Sequence, residues 1–121
     1  MKIHISLSSF KEREQSGFGT CISNEYGRIC ILTDGPWSPA KHSITDFVVE
    51  EAYRGKGHGD ALLKEVIRRY KNDIGGQASS KESIKAMLRN GFKVVKEPSA
   101  GLEEALKILK EDSSVYLRLR T

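Results

Sequence analysis

Between Arg54 and Gly59 the chain reads Arg-Gly-Lys-Gly-His-Gly, with glycine at every second position. Ahead of this run, Ile44 to Glu50 is apolar and β-branched enough for a buried central strand. Behind it, Leu62, Leu63, Val66, Ile67 and Tyr70 recur at helical spacing, with Lys64, Glu65, Arg68 and Arg69 on the other side. A strand, a glycine turn and an amphipathic helix in that order constrain the fold more than any other feature of the chain. Glycine reaches backbone angles that other residues resist, and it lets backbone N–H groups approach a ligand. Those groups converge at the positive end of a helix dipole, so the loop is a candidate pyrophosphate cradle. Arg54 and Lys56 can add charge-assisted contacts, and His58 reads as a further phosphate contact. The plain alternative is a turn kept for packing.

Two familiar nucleotide signatures fail here. A Walker loop closes on Gly-Lys-Ser or Gly-Lys-Thr, whereas Gly55-Lys56 is followed by Gly57. The dinucleotide fingerprint needs a third glycine three positions after the second, where Asp60 stands.

The remaining segments extend the α/β pattern. Ile3, Ile5 and Leu7 alternate as a first strand, Ser8 to Gly17 reads as a loop or a single helical turn, and Phe18–Ser23 with Arg28–Thr33 forms a hairpin around Asn24-Glu25-Tyr26-Gly27. Gly35-Pro36-Trp37-Ser38-Pro39 is a turn-rich break whose tryptophan is expected to cover the core. After the first helix, Ile74 to Ala78 is a short strand. Ser79 and Glu82 then make a capping box for a helix that Gly91 can end. Phe92 to Lys96 is a strand, Ser99 can cap a third helix, and Val115, Leu117 and Leu119 alternate in a closing strand. The predicted class is α/β, one domain over 1–121, with a mixed, mostly antiparallel sheet and helices on its faces. The order is β-ββ-β-α-β-α-β-α-β.

Composition narrows the function. A chain of 121 residues with 38% hydrophobic and 30% charged residues can build one core. No apolar run is long enough for a membrane span, and the early alternation does not suit a signal peptide, so a cytoplasmic location is the expectation. The formal charge of +4 mildly favours polyanionic ligands. There is no basic block or aromatic-studded basic strand, which argues against nucleic acid as the partner. Cys21 and Cys30 would face each other across the hairpin, so a cross-strand disulfide is geometrically possible. Without a secretion signal they are expected to be reduced and packed as small hydrophobes, and no further ligand at metal spacing accompanies them.

The stretch Val49 to Leu63 closely resembles the acyl-CoA binding motif of the GNAT superfamily of N-acetyltransferases, and Ser83 to Phe92 resembles its second motif. The resemblance covers roughly residues 44–96, with both motifs in order. It implies a direct transfer of an acetyl group from acetyl-CoA to a primary amine. It also implies that Phe47, Val48 and Val49 lie on a strand splayed from its neighbour, where backbone groups bind the pantetheine arm and the acetyl carbonyl. The amides of Arg54, Gly55, Lys56, Gly57, His58 and Gly59 would take the pyrophosphate. Ser80 stands where the family often has a CoA-contacting asparagine, and Met87 where it often has a tyrosine that protonates the thiolate. Candidates for the base are Asp46 on the strand and His42 just before it, both expected near the splay, with water-relayed deprotonation as an alternative. The family usually has two helices where this chain has only Ser8 to Gly17, so the acceptor side should be open. An open site suits a protein or peptide amine, or a site completed by a second copy in a homodimer. The rival readings are a family member that binds CoA without catalysis and a basic nucleic-acid-binding module.

Overall fold

A computed structural model describes residues 10–120. The strand expected at Ile3, Ile5 and Leu7 lies outside them. The elements are β1 (Lys11–Gln15), β2 (Gly19–Asn24), β3 (Gly27–Thr33), β4 (His42–Val49), α1 (His58–Tyr70), β5 (Ile74–Ala78), α2 (Lys81–Arg89), β6 (Lys93–Val94), α3 (Leu102–Asp112) and β7 (Val115–Leu119), with a 3-10 turn at Glu51–Tyr53 between β4 and α1. Among the described residues the sheet has the order β1-β2-β3-β4-β5-β7-β6. Every pairing is antiparallel except β4 with β5. The expected α/β class and mostly antiparallel sheet are therefore observed.

The first described strand is not the expected one. β1 comes from the segment read as a loop or a single helical turn, Ser8 to Gly17, and its sequence KEREQ has no apolar alternation to reveal it. It forms because its backbone pairs with β2 from Lys11↔Ser23 to Gln15↔Gly19. Charged side chains suit a strand that is outermost among the described residues, since they deter pairing with another chain.

The β2–β3 hairpin closes as expected, with Asn24 Oδ1 accepting from the N–H groups of Tyr26 (2.9 Å) and Gly27 (3.1 Å). Counting back from the closing pair Asn24↔Gly27, the pair Cys21↔Cys30 is a close, non-hydrogen-bonded one, with Cα atoms 4.0 Å apart. The two residues are joined as a disulfide. This corrects the expectation of reduced thiols, which rested on the presumed redox compartment rather than on the register.

Helix ends also differ in detail. Ser80, one residue beyond Ser79, caps α2 by accepting from Ser83 N–H at 3.1 Å. Gly101, not Ser99, begins α3, and Glu104 Oε1 accepts from its N–H at 2.9 Å. Gly91 ends the α2 segment at φ 91°, as expected. Trp37 is 94% exposed rather than covering the core. Ser38 N–H donates to Gly35 O, so Trp37 occupies the third position of a turn whose second is Pro36, and the turn carries its ring outward.

Ile22, Ile29, Ile31, Val94, Val115 and Leu117 point from the sheet into one core shared with side chains of all three helices. The helices α1 and α2 touch, as do α2 and α3, so they lie side by side on that face of the sheet. The alternate residues, among them Cys21, Cys30 and Asp46, face the other way.

Candidate active site

The site begins with a bulge. Cys30 pairs with Asp46 and Ile31 with Ile44, which leaves Thr45 as an extra residue in β4. Its Oγ1 donates to Phe18 O at 2.7 Å and to Cys30 O at 3.3 Å. Bulges bend and over-twist a strand, and at this point β4 leaves its parallel neighbour. The two strands pair only at His42↔Ile74, Ser43↔Gly75 and Ile44↔Gly76. From Thr45 to Val49, β4 has no partner on β5, while β5 continues its ladder with β7 to Ala78↔Val115. The gap is a cavity of about 290 Å³ whose lining includes Asp46, Phe47, Val48, Gln77, Ser83 and Met87.

From this gap a groove continues past Phe47, Val48, Val49 and Ser80 to Arg54 and Gly59, a compartment of about 250 Å³. It ends in a third compartment of about 340 Å³ beside the glycine loop. Gly55 and Gly57 have φ of 80° and 87°, in the left-handed region, and a Cβ at either would meet no protein atom within 4 Å. Packing does not account for glycine at these positions. They combine a turn that L-residues resist with free space above it, the shape an anion cradle needs. Gly57 immediately precedes α1, so the first helical N–H groups open onto the same space. At Gly59 a Cβ would make only ordinary contact with Val49 Cγ2 at 3.5 Å and Phe47 Cζ at 3.6 Å, so packing does not demand glycine there.

Each expected site residue can now be placed. Phe47, Val48 and Val49 lie on the part of β4 that has left β5 but stays paired with β3, and Gly55, Gly57, His58 and Gly59 line the loop compartment. Arg54 lines it too, but its Nε donates to Val49 O at 2.9 Å, tying the loop to the strand. Lys56 is exposed and does not belong to the groove wall. The His58 ring stacks on Tyr26 at 3.7 Å, with Tyr53 edge-on to Tyr26, so this histidine also fastens the loop to the β2–β3 turn. Ser80 reaches the groove, although its hydroxyl already serves as the α2 cap.

The two base candidates part company. Asp46 lines the gap and takes an ion pair from Arg28 Nε at 2.5 Å. His42 sits at the opposite, paired end of β4, five residues from Phe47, or about 16 Å along a strand. The expectation that it lies near the splay is thus corrected. It is 8% exposed, its Nδ1 is 2.8 Å from Thr33 Oγ1, and its ring lies 4.9 Å from that of Tyr70. Burial, helped by nearby Lys41, lowers its pKa against the opposing pull of Asp34 and Asp73. Folding therefore favours the neutral ring. Stability that is full above the unfolded value of 6.5 should fall as the pH drops through 6.5 toward the lower folded value. Thermal melts between about pH 7.5 and 5.5 should show this loss, and His42→Gln should flatten it.

Residues not singled out from the sequence complete the far wall: Asp60 from α1, and Glu82, Lys85 and Arg89 from α2. Lys85 and Arg89 share a helix face at i,i+4 spacing, a signal the second motif already carried. Burial opposes ionisation of Asp60, but hydrogen bonds from Lys64 and Asn90 outweigh it and hold the carboxyl below its ordinary pKa. Its charge is thus met by protein cations beside the cradle, Arg89 included.

A sequence model described as the Acetyltransferase (GNAT) family matches residues 9–92. This chain belongs to that GNAT acetyltransferase family. No curated protein and no solved structure matches it significantly. Membership implies an acyltransferase-type activity with a CoA thioester as donor and an amine as acceptor. Among the described residues no helix is long and apolar enough to cross a membrane, and no cluster of side chains could hold a metal ion.

Proposed function

We propose that this GNAT chain is an N-acetyltransferase that moves an acetyl group from acetyl-CoA directly to a primary amine. The observation that carries the reading is the continuous groove from the β4–β5 gap to the open, left-handed glycine loop. The residues present fit the donor. Loop amides from Arg54 to Gly59 cradle its pyrophosphate, Arg54 and Lys85 add positive charge, and β4 from Phe47 to Val49 receives the pantetheine arm along the side that β5 has left. When bound, the donor supplies an activated carbonyl and a thiolate leaving group.

Three tasks remain for the chain. Free N–H groups of β4 stabilise negative charge on the carbonyl oxygen. The carboxylate of Asp46, at the edge of the gap, receives the amine proton directly or through water as the new C–N bond forms and the C–S bond breaks. The departing thiolate takes a proton from water, because Met87, which lines the gap, has none to give. His42 is left to support the paired end of β4.

That same Met87 favours a second reading, a GNAT chain that binds CoA without turning it over. One experiment tests both. Acetyl-CoA at about a hundred times its Kd should stabilise the fold by about 2.7 kcal/mol, visible as a raised Tm. Amines should then accelerate thiol release. No shift at millimolar ligand overturns the donor site, whereas a shift without thiol release with any amine supports binding alone.

A further inference from the structure

We propose that the acceptor is an amino acid-like molecule, an amine with a carboxylate two or three bonds from its nitrogen, and that Arg28 reads that carboxylate while Asp46 holds the amine. The inference rests on the acetyl-transfer reading above and deepens it.

The starting point is the face of the sheet turned away from the helices. Two rows of directly opposed residues cross it beside the gap: Lys11, Ser23, Arg28 and Val48 in one, and Arg13, Cys21, Cys30 and Asp46 in the other. All three helices belong to the opposite face. Asp46 and Val48 line the cavity left by the splay, so this is the side from which an acceptor can reach a carbonyl held by the β4 backbone.

The charges there are unequal. Lys11, Arg13 and Arg28 stand in these rows against a single carboxylate, Asp46. A plain diamine would bring a second ammonium into a cationic field, which costs energy on approach and on binding. An amino acid brings an amine for the carboxylate and a carboxylate for the cations. Arg28 and Asp46 already mark the spacing, since they touch through one Arg28 Nε contact at 2.5 Å. The two terminal nitrogens of Arg28 have no partner among the described residues, and its side chain is 46% exposed. Those nitrogens form the planar fork that binds a carboxylate bidentately. The acceptor therefore inserts its ions alongside a pair the protein has arranged, with its nitrogen at Asp46 and hence at the gap.

The test compares amino acids with the amines left when their carboxylate is removed, such as leucine against isopentylamine and phenylalanine against phenethylamine. In wild type the amino acids should be acetylated with kcat/KM roughly tenfold or more above their amines, the scale of a charge-assisted bidentate contact. Arg28→Ala should remove that preference by lowering activity on amino acids far more than on the amines, and Arg28→Lys should restore part of it. An exposed ion pair contributes little to stability, so both variants should fold. Calorimetry of the same pairs against the CoA-loaded protein reads recognition without turnover and should show the same order of affinities. Equal use and equal binding of both classes, no binding of either, or an Arg28→Ala variant that loses both alike would overturn the inference. Acetyl-CoA binding, measured in parallel, separates the two levels. If it persists, only the acceptor assignment fails; if it is absent, the donor reading fails as well.

Discussion

Gly57→Val should abolish binding of acetyl-CoA while the protein remains folded. The backbone there lies at φ 87°, where a β-branched residue is strained, and this strain should cost a few kcal/mol. No further cost arises from crowding, because a Cβ at this position meets no protein atom within 4 Å. The same free space decides the functional effect. The added side chain projects over the cradle that the first amides of α1 line, and it holds a pyrophosphate away from them. Losing a set of charge-assisted hydrogen bonds to a dianion should weaken binding by at least about 100-fold. Calorimetry and thermal melts must be read together. A folded Gly57→Val protein that binds acetyl-CoA as tightly as wild type would make the loop a mere turn and remove the physical basis for the donor site.

Phe92→Ala should act in the opposite sense, with a large loss of stability through a position that does not touch the groove. Phe92 is 2% exposed and belongs to the core cluster, just after the left-handed Gly91 that turns the chain from α2 toward β6. Its N–H donates to Met87 O at 3.0 Å, so the ring is anchored where that helix ends. Deleting a buried phenylalanine side chain costs about 3–5 kcal/mol, from lost transfer energy and the cavity left behind. For a domain of this size that corresponds to a fall in Tm of roughly 10–20 °C. Urea denaturation should show a lower midpoint at an unchanged slope. A loss under about 1 kcal/mol would mean that the end of α2 is not part of the cooperative core. At temperatures where the variant stays folded, its affinity for acetyl-CoA should match wild type, which separates it cleanly from Gly57→Val.

The contrast between these two positions parallels what could be read without coordinates. The periodic helices α1, α2 and α3, the hairpin of β2 with β3, and β7 all follow from local pattern. An apolar stripe has one way to be buried, and the hairpin register follows from its turn. The glycine loop was equally legible, because alternate glycines between a strand and a helix state a backbone requirement. β1 was not. Lys11 to Gln15 has no buried face to announce it, and the segment becomes a strand only through the hydrogen bonds β2 offers. Trp37 misled for a related reason: size and apolarity argued for burial, whereas the turn at Pro36 and Ser38 decides where the ring points. For Cys21 and Cys30 the register was foreseen and the bond was not.

At the site, the sequence by itself determined which backbone can cradle an anion and which helix dipole points at it, since both depend on neighbours along the chain. Tertiary structure alone decided the rest. That β4 leaves β5 at Thr45 depends on a bulge against β3, a mismatch between strands that no single segment encodes. That Asp46 faces the gap while His42 is buried at the far end follows from where pairing stops along β4. Likewise, Arg28 meets Asp46 across 18 positions of sequence only because two strands set their register by the side chains they bury on the opposite face.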